Sequence, residues 1–428
     1  MSGEKTMLVP KLRFPEFRGA DEWALKCVED YFNVGSSKRV LQQDWTTQGI
    51  PFYRTRELVS LSKGESFASE IFIAEKLFSE ITERYGAPKD GDFLVSGVGT
   101  LGISYLVKPK DKFYFKDGNV LWFETRGGIS SAYFKYCFES DLIQNQILKQ
   151  ASVSTVGTYT IQNAKTTKLF VPLTAREQQK IADCLSSLDE LIAAQGRKVD
   201  ALKTHKKGLM QQLFPRAGET QPRLRFSEFK NAEAWEQTTL GGVSRLRNGY
   251  AFKSAEYVDD GPYRIVTIAN VQQGNLTLES TKRMAALPPD IQDHQVLSPK
   301  DILISMTGNV GRVCRVSAKD LLLNQRVGKL VPEKIDAAFF YQLLQREEFR
   351  NVMQLKAAGG AQGNLSAGDI TEYAFSIPTR TAEQQRIADC LSSLDALITA
   401  ATQELDTLKT HKKGLMQQLF PSTGESDV

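Results

Sequence analysis

The stretch LKTHKKGLMQQLFP stands at residues 202–215 and again, without a substitution, at residues 408–421. The match extends upstream at the same shift of 206, so that residues 178–215 and 384–421 agree at 29 of 38 positions. A second pair, KLRFPEFRGADEW (11–23) and RLRFSEFKNAEAW (223–235), opens each copy. A chain written this way uses one supersecondary unit twice. Between the shared elements lie two segments, roughly 24–171 and 236–377, that resemble each other only in outline. Each repeat therefore runs short motif, variable segment, long repeated block, and a length of 428 residues suits two to three domains.

The long repeated block has the period of a helix. Ile181, Leu185, Leu188, Ile192, Gln195, Val199, Leu202, Lys206, Leu209 and Leu213 fall at alternating spacings of four and three, as do Ile387, Leu391, Leu394, Ile398, Ala401, Leu405, Leu408, Lys412, Leu415 and Leu419. That is a heptad seam, with Lys206 and Lys412 on it. It contains no proline, and a rod of such length spans about 55 Å. Two equal rods in one chain satisfy their seams most simply against each other. The block also holds two of the three histidines, His205 and His411, in the sequence KTHKK. Neither has acidic or cysteine partners at ligand spacing, so both read as surface or seam residues. Phosphate contact by Lys203, Lys206 and Lys207 and their copies is the competing reading.

The variable segments read as mixed α and β. GDFLVSGVGTLGISYLV (91–107) and KDILISMTGNVGRVCRV (300–316) each place a glycine turn between two apolar runs, the pattern of a hairpin. Helical runs follow at 131–148 and 337–355, and each segment ends in a strand before proline, at Pro172 and Pro378. Gly97, Gly99 and Gly102 spell GxGxxG, but a second strand follows where a dinucleotide site needs a helix, so the glycines read as a turn. The fold class expected is α+β, with boundaries at 1–175, 176–214, 215–381, 382–421 and a tail at 422–428.

Composition narrows function mainly by exclusion. A net charge of +4 is compatible with nucleic acid only through a local basic footprint. The apolar runs are short and the amino-terminal residues lack a signal-peptide core, so a cytoplasmic protein without a membrane span is expected. The five cysteines, Cys27, Cys137, Cys184, Cys314 and Cys390, have no zinc-ligand spacing and read as reduced thiols. No phosphate loop, no Asn-Pro-Pro-aromatic motif, no HExxH and no serine elbow is present, so no catalytic residue and no metal site is assigned. Side chains that pair with base edges do cluster near aromatics and turns: Tyr53, Arg54 and Arg56, Ser96 and Thr100, Arg245, Arg247, Asn248 and Tyr250, Asn309 and Arg312, and Gln362 with Asn364. They form the candidate DNA-binding set.

Two variable domains, two nearly identical helices and the signature EQQKIADCLSSLDELI (177–192), repeated as EQQRIADCLSSLDALI (383–398), resemble the specificity subunit of type I restriction-modification enzymes. The resemblance covers nearly the whole chain. It implies two target recognition domains, each reading one half of a split, asymmetric site in double-stranded DNA. It also implies a pseudo-twofold circular arrangement about an antiparallel coiled coil that sets the spacing and docks two methyltransferase subunits. Restriction and motor subunits would complete the assembly; S-adenosylmethionine, ATP and magnesium would bind those partners, and this subunit would be non-catalytic. Gly424 and Glu425 repeat Gly218 and Glu219, so the tail hands over to the head. An autonomous DNA-modifying enzyme and a non-specific coiled-coil tether remain the rival readings.

Overall fold

A computed structural model describes residues 9–65, 67, 69–151, 157–359 and 363–421. It divides into two compact units that do not follow chain order: one comprises Met1–Gln195 with Glu404–Val428, the other Gly196–Gln403. The linear segmentation expected from the sequence thus gives way to two bodies, each holding one variable segment and half of each long helix.

In the first unit, a four-stranded antiparallel sheet runs in the order Phe32–Gly35, Val120–Thr125, Phe93–Ser96, Ser104–Leu106. The strand FLVS is buried on both faces and sorts its side chains with the period of two that a strand imposes. Phe93 and Val95 join the core beneath Phe134 and Phe138 of the helix Ser131–Phe138, while Leu94 joins Leu58, Tyr105 and Phe115 on the other face. A second sheet orders Trp45–Thr46, Phe72–Ile73, Ile50–Tyr53 and Tyr114–Phe115, the last two parallel. The ends of the variable segment, Ala24–Cys27 and Lys168–Val171, pair antiparallel and deliver the chain to the long helix.

The second unit repeats this plan. Its main sheet runs Ser244–Asn248, Val327–Pro332, Ile302–Ser305, Val313–Arg315, and Leu303 again faces away from Ile302 and Ile304. Its second sheet orders Arg283–Met284, Tyr263–Val266, Leu321–Leu323 and Val296–Leu297, again with one parallel pairing. Glu236–Thr239 and Ala374–Ile377 close the segment. One feature of this unit, the small hairpin Val271–Gln272 with Asn275–Leu276, was not among the readings from sequence.

Each helical run expected as one piece is two helices. Ser131–Phe138 stops and Asp141–Ala151 begins, and Ala337–Leu344 gives way to Glu347–Ala358. At the first break the Ser140 hydroxyl donates back to the Cys137 carbonyl, competing with helix continuation, and acidic residues open each second helix, where the helix dipole favours them.

The long helices span Ala175–Leu213 and Thr381–Leu419. In the first unit Asp189 meets Lys412 at 2.6 Å and Gln195 meets Glu404 at 2.8 Å, so the two half-helices run antiparallel. In the second unit Lys206 meets Asp395 at 2.6 Å, and the end of one helix, Leu213, shares a core with the start of the other, Ile387 and Leu391. Seam burial is uneven. Ile181, Leu185, Leu188, Ile387 and Leu391 are buried, whereas Ile192, Leu202, Leu209, Leu394, Ile398, Leu408 and Leu415 are half-buried. Ile181, Leu185, Ile387 and Leu391 are buried in the domain cores, whereas Val199 and Ala401 are buried outside them.

Candidate nucleic-acid interface

The repeated motifs meet in space and lock each unit. Arg13 of KLRF donates from Nε and Nη2 to both carboxylate oxygens of Glu177, at 2.7 and 2.8 Å, and from Nη1 and Nη2 to the carbonyls of Ala20 and Asp21. Trp23 donates its indole N–H to the same carboxylate at 3.1 Å. Arg225, Trp235 and Glu383 repeat the set, with Arg225 bidentate at 2.8 and 2.7 Å and Trp235 again at 3.1 Å. The glutamate bond raises the Arg13 guanidinium, already strongly basic, further above its ordinary value. The adjacent glutamines finish the joint. Gln178 donates to the Pro172 carbonyl and accepts from Ser130 N, and Gln384 does the same with Pro378 and Asp336 N. The EQQ signature is therefore a clasp between domain and helix, and this function of its glutamates was not legible in the sequence.

A second joint lies twelve residues, about three turns, further along each helix. Asp189 accepts from Lys412, from the Tyr136 hydroxyl at 2.9 Å and from Lys135 at 3.2 Å. Burial pushes its carboxyl up, but these donors outweigh burial and hold it below the usual carboxylate range. Asp395 accepts from Lys206 Nζ at 2.6 Å and from Gln342 Nε2 at 2.7 Å. Lys206 and Lys412 are thus seam residues with partners, which removes them as free phosphate contacts; Lys207 pairs with Glu347 at 2.8 Å. Lys203, His205 and His411 are exposed.

The candidate DNA contacts separate into groups. Arg54 and Arg56 both pair with the buried Glu57, and Arg56, itself exposed, also with Glu70 at 2.6 Å. Tyr53 is half-buried against Phe113. Arg245 pairs with Glu333 and the Tyr250 hydroxyl donates to Asp290. Arg247 and Asn248 are exposed at the end of their strand, and the Asn248 carbonyl faces a ring nitrogen of His294 at 3.2 Å. Ser96 is corrected: it is fully buried, and its hydroxyl donates to the Thr100 carbonyl at 2.5 Å and accepts from Ile103 N at 2.8 Å. Thr100 itself is exposed. Asn309, Arg312 and Asn364 come together, because Leu365 N donates to the Met306 carbonyl and sets Asn364 beside the turn that carries Asn309. Arg312 bonds Gln272. The equivalent bond from Tyr159 N to the Gly97 carbonyl places Thr158 beside the first turn, a position the sequence did not single out. Gln362 lies outside the described residues.

Burial pushes the Cys137 and Cys314 thiols up to about 12, which leaves them protonated at neutral pH. Among the described residues no cluster of three metal-ligating side chains occurs, and no helix is long and apolar enough to cross a membrane.

Comparison with known proteins agrees with this picture. The family model for the type I restriction modification DNA specificity domain matches residues 20–204 and 232–410. The MjaVIII type I restriction enzyme specificity subunit of Methanocaldococcus jannaschii is 28% identical over 298 residues, 67% of this chain and 69% of that protein. The putative MjaX specificity subunit of the same organism is 24% identical over 412 residues, 94% of this chain and 93% of the relative. In fold, the crystal structure of the type I restriction-modification S subunit from M. genitalium superposes with a TM-score of 0.59 at 15% identity, covering 97% of this chain and all of that one.

Proposed function

The chain belongs to the type I restriction modification DNA specificity family, and from that premise we propose that each of its two units reads one half of a bipartite, asymmetric DNA site. It is the sequence-recognition subunit of a type I restriction-modification system and is not itself the enzyme. One observation carries the two-reader model: the Arg-Trp-Glu clasp is repeated bond for bond, and each aspartate joint again takes a lysine and a domain donor, around variable segments whose surfaces differ. A repeated frame serves what is common to both halves, and unlike surfaces serve unlike half-sites.

The long helices act in this reading as an antiparallel coiled coil with pseudo-twofold symmetry that spaces the readers, about 34 Å apart for one turn of duplex DNA. Their matching faces dock two identical methyltransferase subunits, and motor and nuclease subunits complete the complex. S-adenosylmethionine, ATP and magnesium bind on those partners, and the assembly works in the cytoplasm.

The test is reconstitution. The purified chain with S-adenosylmethionine and DNA should leave the DNA unmodified, and methyltransferase subunits should restore methylation of one bipartite motif. Exchange of residues 24–171 for another recognition domain should change one half of that motif only; an unchanged motif would sink the model.

A further inference from the structure

Two recognition domains with little sequence in common build one short turn twice. It follows the strand Phe93–Ser96 in the first unit and Ile302–Ser305 in the second, and reads SGVGTLG (96–102) and SMTGNVG (305–311). The positions that agree are those with a geometric task. Ser96 and Ser305 are both fully buried, and each hydroxyl donates to the carbonyl four residues on, at 2.5 and 2.6 Å, while accepting the N–H seven residues on. Gly99 and Gly308 have φ of +81° and +67°, and Gly102 and Gly311 +69° and +74°, a region that side chains disfavour. A Cβ on Gly102 would meet Gln144 Oε1 at 2.9 Å, and one on Gly311 would meet Met353 Cβ at 2.6 Å, so each turn is seated on the second short helix of its domain.

The tips differ in identity but not in chemistry. Thr100 and Asn309 are both exposed, short and able to donate. Each has its carbonyl occupied by the buried serine, and neither its N–H nor its side chain finds an acceptor among the described residues. What faces outward is a rigid set of donors, a surface complementary to an anion.

Two half-sites that differ in base sequence share their phosphodiester backbone. We propose that the two serine-stapled turns are equivalent phosphodiester-binding sites, each holding one DNA phosphate through the tip N–H and the Thr100 hydroxyl or the Asn309 amide. The assignment rests on the reading of each unit as a half-site reader. It also explains why the frame repeats in domains that otherwise diverge.

Phosphate ethylation interference on DNA carrying the motif, with the chain assembled with its methyltransferase subunits, tests it. Thr100→Val, which leaves the tip N–H in place, should reduce interference at one phosphate of the first half-site and weaken binding about fivefold, the worth of one hydrogen bond. Asn309→Leu should do the same in the second half-site, and the methylated motif should stay unchanged in both. A change of base preference in the affected half-site would overturn the proposal in favour of base reading. Unaltered interference and affinity in both variants would overturn it in favour of a scaffold turn. Failure of the underlying reading shows separately, as a wild-type motif that survives exchange of residues 24–171.

Discussion

Glu177 and Glu383 each satisfy an arginine and a tryptophan at once, with almost no solvent to share the charge. Arg13 and Glu177 side chains are 6% and 1% exposed. Removing one partner of such a pair strands the other, so Glu177→Ala should cost about 3–5 kcal/mol, read by calorimetric unfolding. Adding Arg13→Met should recover much of that loss, because the stranded charge goes with it. A double variant as unstable as the single one would show that the carboxylate matters chiefly to Trp23. The Asp189 joint carries its own pH signature. Its folded carboxyl lies below the usual range, so the ionised form stabilises the folded state. That contribution is complete above the unfolded value of about 3.9 and disappears as pH falls through the lower folded value. The stability difference between wild type and Asp189→Asn should therefore be flat from pH 5 to 7 and shrink below about pH 4. These roles were only half legible in the sequence. Repetition marked Arg13, Trp23 and Glu177, but no spacing rule links an arginine to a glutamate 164 residues away.

At the scale of elements, period carried most of the information. The heptad spacing placed both long helices, and the turn reading of GxGxxG placed a hairpin. Two features escaped it. The breaks after Phe138 and Leu344 depend on local competition for backbone groups, which a hydrophobic period does not register. The depth of each seam position depends on which domain lies over it, and that is a tertiary matter. Leu185 and Leu391 are fully buried where a domain caps the pair, and the seam residues Ile192 and Ile398, seven residues on, are only half-buried; Leu191 and Leu397, off the seam, are 57% and 55% exposed. Leu185→Ala or Leu391→Ala should cost about 2–5 kcal/mol through lost burial and the cavity left behind. Leu191→Ala or Leu397→Ala should stay within about 0.5 kcal/mol. Paired denaturant titrations of the four variants separate the two classes, and a large loss at Leu191 would mean the helix is rotated about its axis from the arrangement described.

For the whole molecule, the repeat announced two units but not how the chain divides between them. Each unit takes the first half of one long helix and the second half of the other, so a domain is seated on residues from both. The seats are interchangeable in kind. Gln178 and Gln384 accept a main-chain N–H from the domain and donate to the carbonyl before the helix. Tyr133 and Phe339 stand against the same tryptophan, Trp23 or Trp235, and against Phe420 or Phe214. Asp189 and Asp395 each take a lysine from the opposite helix and a donor from the domain, Tyr136 in one and Gln342 in the other. Because Gln342 bridges Asp395 as Tyr136 bridges Asp189, a chain in which residues 236–377 also replace residues 24–171 should seat its new first domain on the existing clasp and joint. Such a chain, assembled with methyltransferase subunits, should methylate DNA in which the half-site of the second domain occurs twice, and the first half-site should vanish from the motif. Methylation-sensitive sequencing reads both halves together. Persistence of the original asymmetric motif would mean that specificity resides in the shared helices, and loss of all methylation from a chain that still folds would mean that the seats, though alike in their bonds, are not alike in the orientation they impose.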